Sequence, residues 1–176
     1  KPSEIYFTSG GTEGDNWAVK AMAGEKKSYA KHVITSKIEH HAILHSCEHL
    51  EKLGYRVSYL DVDSAGIVKL SDLEKWIKDG EKSDEPKDKI SVISVMYGNN
   101  EIGTIQPLEE IGNMAKRFHI PFHTDAVQAV GQVPISVKRL PIDMLSASAH
   151  KFHGPKGIGF LYVKEKTKIK PILFGG

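Results

Sequence analysis

The sequence is nearly devoid of cysteine: Cys47 is the only one among 176 residues. One cysteine forms neither an internal disulfide nor a thiolate metal cluster, so nothing in the composition asks for an oxidising compartment. We therefore expect a cytoplasmic protein. A dominant charge is lacking too, because 24 Lys and Arg against 22 Asp and Glu leave a net charge of +2. This balance lacks the basic character of nucleic-acid-binding proteins.

The sequence also lacks a long apolar run. No run approaches the roughly 20 residues of a membrane-spanning helix. The opening residues 1–4 have the composition of neither a signal peptide nor a transit peptide, so we expect no membrane partner. An initiating Met is absent, and the chain stops just after the apolar stretch 172–174. We interpret it as a fragment of a longer protein.

The remaining composition, 40% hydrophobic and 26% charged, is that of a globular domain, and we expect one domain over residues 1–176. Short β-branched and aromatic runs alternate with segments of helical period, which is typical of an α/β fold on a mostly parallel sheet of about seven strands. The predicted strands cover 5–8, 32–35, 56–60, 90–96, 120–124, 143–147 and 158–163, and the predicted helices cover 13–23, 40–53, 71–77 and 108–118.

Two local signals refine the prediction around the third helix. Ser71, followed three residues later by Glu74, predicts a capping box at its start. The run 79–89 is almost wholly polar and contains Pro86, so it predicts a solvated surface loop before the next strand.

Polar clusters follow three of the predicted strands: residues 10–12, Asp125 with Gln128, and residues 148–151. In α/β sheets, ligands bind outside the carboxyl ends of the strands, so these clusters are predicted to share one site. A Gly-rich turn that opens into a helix favours phosphate through its free N–H groups and the helix dipole. Taken alone, the same turn is more often a plain chain reversal.

The side chains in these clusters fit one cofactor. Lys151 suits a Schiff-base lysine, because burial lowers the pKa of such an amine; a surface lysine is the alternative. Asp125 could hold a pyridinium nitrogen protonated, as pyridoxal chemistry requires. Asn100 and Gln128 carry side-chain N–H donors suited to a phenolic oxygen.

Five motifs follow one another along the chain: Phe7-Thr8-Ser9-Gly10-Gly11-Thr12-Glu13, Glu39-His40, Asn99-Asn100-Glu101-Ile102-Gly103, His123-Thr124-Asp125-Ala126-Val127-Gln128, and Ser148-Ala149-His150-Lys151-Phe152-His153-Gly154-Pro155-Lys156-Gly157. Taken together and in this order, they resemble the large, pyridoxal-phosphate-binding domain of the cysteine desulfurase and selenocysteine lyase family. These are class V aminotransferase-like enzymes of fold type I, so the resemblance implies a three-layer αβα fold.

The resemblance implies a role for nine residues. Lys151 would bind pyridoxal 5'-phosphate covalently and move the substrate α-proton. His40 would stack on the pyridine ring and move protons, as an imidazole titrating near neutrality can. Asp125 would pair with the pyridine nitrogen, and Gln128 and Asn100 would face the phenolic oxygen. The phosphate would be held by Gly11, Thr12, Ser148 and His150.

The implied activity of the parent protein is cysteine desulfuration, in which L-cysteine gives L-alanine and an enzyme persulfide for iron–sulfur cluster assembly or thiolation. The resemblance also implies a homodimer and a sulfur-acceptor or scaffold protein. The family's sulfur-accepting cysteine and carboxylate-binding arginine lie outside this chain, so we expect the fragment itself to be inactive. The alternatives are a selenocysteine lyase, another class V-type aminotransferase, or a non-catalytic cofactor-binding or assembly domain.

Other reactive side chains have plainer interpretations. Cys47 shares a helical face with apolar residues and is predicted to lie in the core. His123 shares a strand face with Asp125, either as its partner or as a packed residue. Lys156 is predicted to be a turn residue, and Gly14 stands where the family commonly has Ser or Ala. An exposed stripe, with zinc binding as the alternative, is predicted for His41, His45 and His49.

Overall fold

The computed structural model describes residues 1–25 and 30–173; the end of the chain from Phe174 lies outside them. These residues form seven strands and four α-helices, which alternate as far as the fifth strand; the last three strands follow with no α-helix between them. The strands are β1 (Ile5–Thr8), β2 (His32–Ser36), β3 (Arg56–Leu60), β4 (Ile90–Ser94), β5 (Phe122–Asp125), β6 (Met144–Ser148) and β7 (Gly159–Val163). The helices are α1 (Gly11–Glu25), α2 (His41–Lys52), α3 (Leu70–Lys82) and α4 (Leu108–Arg117).

The strands form one sheet in the order β1-β7-β6-β5-β4-β2-β3. Strands β2 to β6 run parallel to their neighbours among themselves. Strand β7 is antiparallel to both β6 and β1. Strand β1 therefore points the same way as the parallel set, and the mostly parallel sheet of seven strands is confirmed.

Helices cover both faces of the sheet. On one face, α1 and α2 pack on Val33, Val92 and Met144. On the other face, α3 and α4 pack on Ile34 and Ile93. Successive side chains of a strand point to opposite faces, which is why Val33 and Ile34 belong to different layers. The three-layer αβα fold is therefore confirmed.

Helix α3 differs from its prediction at both ends. It begins at Leu70 after Lys69, so the Ser71 capping box is wrong. The start is set instead by packing, because Leu70, Leu73 and Ile77 form an apolar stripe against the core. The helix runs on to Lys82, so the first four residues of the predicted 79–89 loop are helical. Gly80 is buried there and lies against the carbonyl of Asp88.

Helix α1 begins at Gly11, two residues before its predicted start. The Glu13 carboxylate accepts a hydrogen bond from the backbone N–H of Ser9 at 2.6 Å, which closes the turn onto the first turn of the helix. The backbone of the Gly-rich motif thus becomes the helix N-terminus itself. Within the described residues, no helix has the length and apolar character needed to cross a membrane.

We predict that Gly112→Ala destabilises the chain. A Cβ at Gly112 in α4 would lie 2.4 Å from the carbonyl oxygen of Pro141, and backbone gives way only at a cost. We expect urea denaturation, followed by circular dichroism, to show a free energy of unfolding lower by about 1–3 kcal/mol.

Gly24→Ala in α1 is the matched control, since no heavy atom of the described residues lies within 4 Å of its Cβ position. It should leave stability unchanged or raise it by up to about 1 kcal/mol through helix propensity. Equal unfolding midpoints for the two variants would contradict the close approach of α4 to Pro141.

Candidate active site

A cavity of about 520 Å³ opens at the carboxyl edge of the sheet. The loops that follow β1, β2, β4, β5 and β6 meet at this edge because these strands share one direction, and the loop before β7 joins them. The structure brings all nine residues predicted from the motifs to the wall of this one cavity: Gly11, Thr12, His40, Asn100, Asp125, Gln128, Ser148, His150 and Lys151.

The Gly-rich turn lets backbone form part of the cavity wall. A Cβ at Gly11 would lie 2.4 Å from Cγ2 of Val127, so glycine is what allows α1 to start this close to the loop after β5. The Thr8 hydroxyl donates to the carbonyl of Gly10 at 2.9 Å and steadies the turn. The N-terminus of a fifteen-residue helix is thereby directed at the cavity.

Side chains after β6 stand beside this helix N-terminus. Ser148 is buried, and its Oγ lies 2.9 Å from Nδ1 of the exposed His150. Thr12, at the start of α1, adds a second hydroxyl. Hydroxyl, imidazole and helix N–H groups are the usual ligands of a phosphate.

His40 is fixed by the start of α2. It is the N-cap residue of that helix, and its Nδ1 accepts a hydrogen bond from the backbone N–H of Ala42 at 3.1 Å. In the neutral ring, Nε2 therefore carries the hydrogen. His40 is exposed on the cavity side, so Nε2 is the ring nitrogen available to a ligand.

Asp125 ends β5 as a buried acid with one strong partner. Its side chain is 5% exposed, and Oδ1 accepts a hydrogen bond from the backbone N–H of Val127 at 2.9 Å. Burial raises the pKa of Asp125, while the Val127 hydrogen bond and the charge of His40 act in the opposite direction. A cationic ligand beside this carboxyl would restore its full charge.

Asp15 is a cavity residue that the sequence analysis did not identify. It is 1% exposed, and its Oδ1 has no hydrogen-bond partner among the described residues. Burial and the nearby charge of Asp125 raise the pKa of Asp15 well above its ordinary value, and the Ser146 hydroxyl acts in the opposite direction. A signal was present in the sequence, because Asp15 falls within the buried helical stripe of Ala18, Val19 and Met22.

His123 lies beneath the cavity and is neutral. Burial lowers its pKa to about 3, so its 3.8 Å approach to the Asp15 carboxyl is not an ion pair. Its Nδ1 lies 2.9 Å from Oγ of Ser94, and its Nε2 lies 2.8 Å from Oγ of Ser146. Among the described residues no hydrogen bond joins His123 to Asp125, so of the two interpretations the structure supports the packed residue, with a serine partner on each side.

Glu39 holds the loop that carries His40. The side chain is buried, and its Oε1 accepts hydrogen bonds from the Ser36 hydroxyl and from the backbone N–H of Met96 at 2.9 Å. Burial is the main cause that raises the pKa of Glu39 to about 8, with the charge of Asp125 adding to it. This carboxyl ties the loop after β2 to the loop after β4.

Asn99 provides a second tie between the same two loops. Its Nδ2 donates to the carbonyl of Ile38 at 2.9 Å, and its Oδ1 accepts from the backbone N–H groups of Glu101 and Ile102. Asn100, next in the chain, is left exposed at the cavity wall. Within this motif, the Asn99 amide therefore fixes the loop, and the Asn100 amide lies at the cavity wall.

Lys151 differs from the expectation of a buried amine. It closes a short 3₁₀ turn, Ala149–Lys151, and its side chain is exposed in this chain. Lys156, expected to be only a turn residue, also lines the cavity and is also exposed. The cavity therefore has two lysines at its wall.

Among the described residues, the histidine stripe of α2 does not bring three possible metal-ligand atoms together. His41, His45 and His49 are exposed, as predicted. Within the described ranges, the group of three ligand atoms lying within 4.8 Å of one another is that of Asp15, His40 and Asp125, inside the cavity. Cys47 is fully buried beside Ile43 and Leu50, so its predicted core position is confirmed.

Comparison with known proteins gives consistent results. The family described as Aminotransferase class-V matches residues 1–176. The chain is 56% identical over 174 residues to "Cysteine desulfurase IscS" of Methanosarcina thermophila, with 99% of this chain and 41% of that protein covered. It is 44% identical to "Cysteine desulfurase, mitochondrial" of Arabidopsis thaliana, with 99% and 37% covered. The chain spans about two fifths of the length of these curated relatives.

Solved structures with the same arrangement include a "NIFS-LIKE PROTEIN" at 43% identity and TM-score 0.89, covering 100% of this chain and 46% of that one. "SspA in complex with cysteine" is similar at 41% identity and TM-score 0.88, covering 100% of this chain and 49% of that one.

We predict that Glu39 makes stability fall with rising pH. Its folded pKa of about 8 exceeds the ordinary value of 4.5, so the folded state binds the proton more tightly. The stabilisation is fully present below pH 4.5 and is lost as pH rises through 8, with a slope of up to about 1.4 kcal/mol per pH unit.

Urea denaturation at several pH values checks this prediction. Glu39→Gln should flatten the dependence between these limits, whereas Glu48→Gln on the exposed side of α2 should leave it unchanged. Parallel stability curves for wild type and Glu39→Gln would show that the carboxyl is ionised in the folded chain.

Proposed function

The chain belongs to the aminotransferase class-V family, and from that membership we propose that its cavity binds pyridoxal 5'-phosphate within a cysteine desulfurase. The similarity to curated cysteine desulfurases supports this proposal. The observation that carries it is the meeting of phosphate ligands, a buried carboxyl and a lysine at one cavity. Because the chain spans about two fifths of these relatives, the activity is proposed for the whole protein.

The residues present fit this cofactor. Glycine at position 11 leaves the helix N-terminus open to the cavity, where a larger residue would collide with Val127. The donors around it, Ser148 and His150 among them, suit a phosphate dianion. Asp125 is a buried acid with no cationic side chain paired to it among the described residues. The protonated nitrogen of a pyridine ring would provide the positive charge that stabilises its carboxylate. These are two separate chemical requirements, and one cavity meets both.

We assign the residues accordingly. Gly11, Thr12, Ser148 and His150 would hold the phosphate. Asp125 would hold the ring nitrogen, and Asn100 with Gln128 would donate to the phenolic oxygen. His40, fixed by Ala42, would lie against the ring face. Lys151 would hold the cofactor covalently.

The bound cofactor supplies an electron sink for negative charge at the substrate α-carbon. The chain's own residues supply position and proton transfer. The Lys151 amine would accept the substrate α-proton at Nζ. His40 would exchange a proton at Nε2, the nitrogen that Ala42 leaves free. Asp125 would stay ionised and hold the ring nitrogen, which keeps the ring in place beside Lys151 and His40.

L-cysteine is the substrate that this family membership supports, and one similar structure is described as a complex with cysteine. In the proposed reaction, the carbon–sulfur bond breaks and the sulfur joins an enzyme thiol. L-Cysteine and the thiol thus give L-alanine and a persulfide, with atoms and electrons in balance. We further propose a cytoplasmic homodimer that passes this sulfur to an acceptor or scaffold protein for iron–sulfur cluster assembly.

We predict that the purified chain, mixed with pyridoxal 5'-phosphate and freed of excess, shows a visible absorption band. Borohydride reduction should then fix a pyridoxyl group, and peptide mapping should find it on Lys151. Lys151→Ala should lose both the band and the label, because no other amine is predicted to hold the carbonyl carbon.

Lys156→Ala is the matched control, as a second exposed lysine at the same cavity. It should keep the band and the label at Lys151. Labelling that follows Lys156 instead would overturn the lysine assignment, and an unlabelled wild-type chain would count against cofactor binding by this part of the protein.

A further inference from the structure

The cavity and the layer beneath it contain more carboxyl groups than the proposed cofactor needs. Asp15, Glu39 and Asp125 are each buried, and Asp15 and Asp125 line the cavity with carboxyl oxygens within 4.8 Å of each other. In residues 1–25 and 30–173, no Lys or Arg forms an ion pair with any of the three. Several unpaired negative charges in such a site would be very costly, so protons must neutralise most of them.

The local partners distinguish Asp15 from Asp125. The Asp125 carboxylate accepts a backbone N–H and faces His40, and both features stabilise negative charge. Asp15 has no N–H donor among the described residues, and its Oδ1 is unpartnered. Burial therefore acts on Asp15 with little compensation. The negative charge of the pair belongs on Asp125.

The side chains of Ser94, His123 and Ser146 beneath the cavity can provide an acceptor for a hydrogen on the Asp15 carboxyl. Neutral His123 lies between Ser94 and Ser146, with 2.9 Å and 2.8 Å to the two hydroxyl oxygens. Oδ1 of Asp15 lies 3.8 Å from Nε2 of His123, the same ring nitrogen that contacts Ser146, so the Asp15 carboxyl stands beside these side chains. If Ser146 donates its hydrogen to His123, its oxygen is left to accept one, and a protonated Asp15 can supply it.

We propose that Asp15 is a positioning residue: as a neutral acid it donates to Ser146, anchors the Ser94–His123–Ser146 chain, and leaves Asp125 as the single anion facing the ligand. In this arrangement Ser146 donates to Nε2 of His123, and the Nδ1–H of His123 donates to Ser94. The groups that face Asp15 across the site are Asp125, Glu39, His40 and His123, with Lys151 and Lys156 at the cavity wall.

Infrared difference spectroscopy of the cofactor-free chain tests where the proton lies. At pH 7, wild type minus Asp15→Asn should show the C=O stretch of a protonated carboxylic acid, which Asn lacks. Wild type minus Asp125→Asn, the matched control, should show an ionised carboxylate instead. A protonated C=O band that disappears with Asp125→Asn and persists in Asp15→Asn would overturn the proposal.

A second measurement needs no variant at this position and so does not depend on Asp15→Asn folding. Nitrogen-15 NMR of the wild-type chain reports which ring nitrogen of His123 carries hydrogen, assigned with His123→Gln. We expect the Nδ1–H form. In the Nε2–H form His123 would donate to Ser146, the reverse of the proposed direction, and that result would overturn the proposal.

Cofactor affinity gives a third readout, which rests on the proposed function. Asp15→Asn should keep the apparent Kd for pyridoxal 5'-phosphate within about threefold of wild type, whereas Asp125→Asn should weaken it at least about tenfold. A loss in Asp15→Asn as large as that in Asp125→Asn would overturn the neutral role. If the wild-type chain binds no cofactor, the proposed function fails, while the infrared and NMR results still decide the placement of the proton.

Discussion

A row of polar side chains crosses three parallel strands directly under the cavity, and the geometry of the site depends on it. Ser94 of β4 is paired in register with His123 of β5, and Asp125 of β5 with Ser146 of β6. Hydrogen bonds join Ser94, His123 and Ser146 across the sheet. Buried polar groups are stabilising only when their partners are in place, so this row requires correct strand register. A slip of one residue would turn these side chains to the opposite face.

The same face of the sheet changes character along its length. Toward the amino ends of the strands it carries Val92 and Met144, packed under α1 and α2. Two residues further along the same strands it carries Ser94 and Ser146. The apolar part holds the helices on the sheet, and the polar part lies where their N-termini meet the cavity. One face of the sheet therefore holds the helices rigidly beside the site and also provides its buried hydroxyl groups.

The sequence was informative where a motif reflects local chain geometry. Strands β1 and β3 match their predicted bounds, and the five motifs converge on one cavity because each follows a strand of the same direction. It was less informative where tertiary packing decides. The apolar stripe of α3 overrides Ser71, and the burial of Asp15 follows from the packing of its helical stripe on the sheet, not from its own residue type. The exposure of the Lys151 side chain likewise depends on which segments pack around it, and the residues next to it in the sequence do not predict that exposure.

The position of β1 has a consequence for the order of folding. Within residues 1–25 and 30–173 its one partner strand is β7, so Ile5 must find Tyr162, which lies 157 residues further along the chain. Contacts this distant in sequence form slowly, because a long loop must close before any packing rewards it. The β2–β3–β4 half joins nearer neighbours and needs no such closure. We therefore expect this half to form first on a growing chain, and the Gly-rich turn to reach its place only after β7 has left the ribosome.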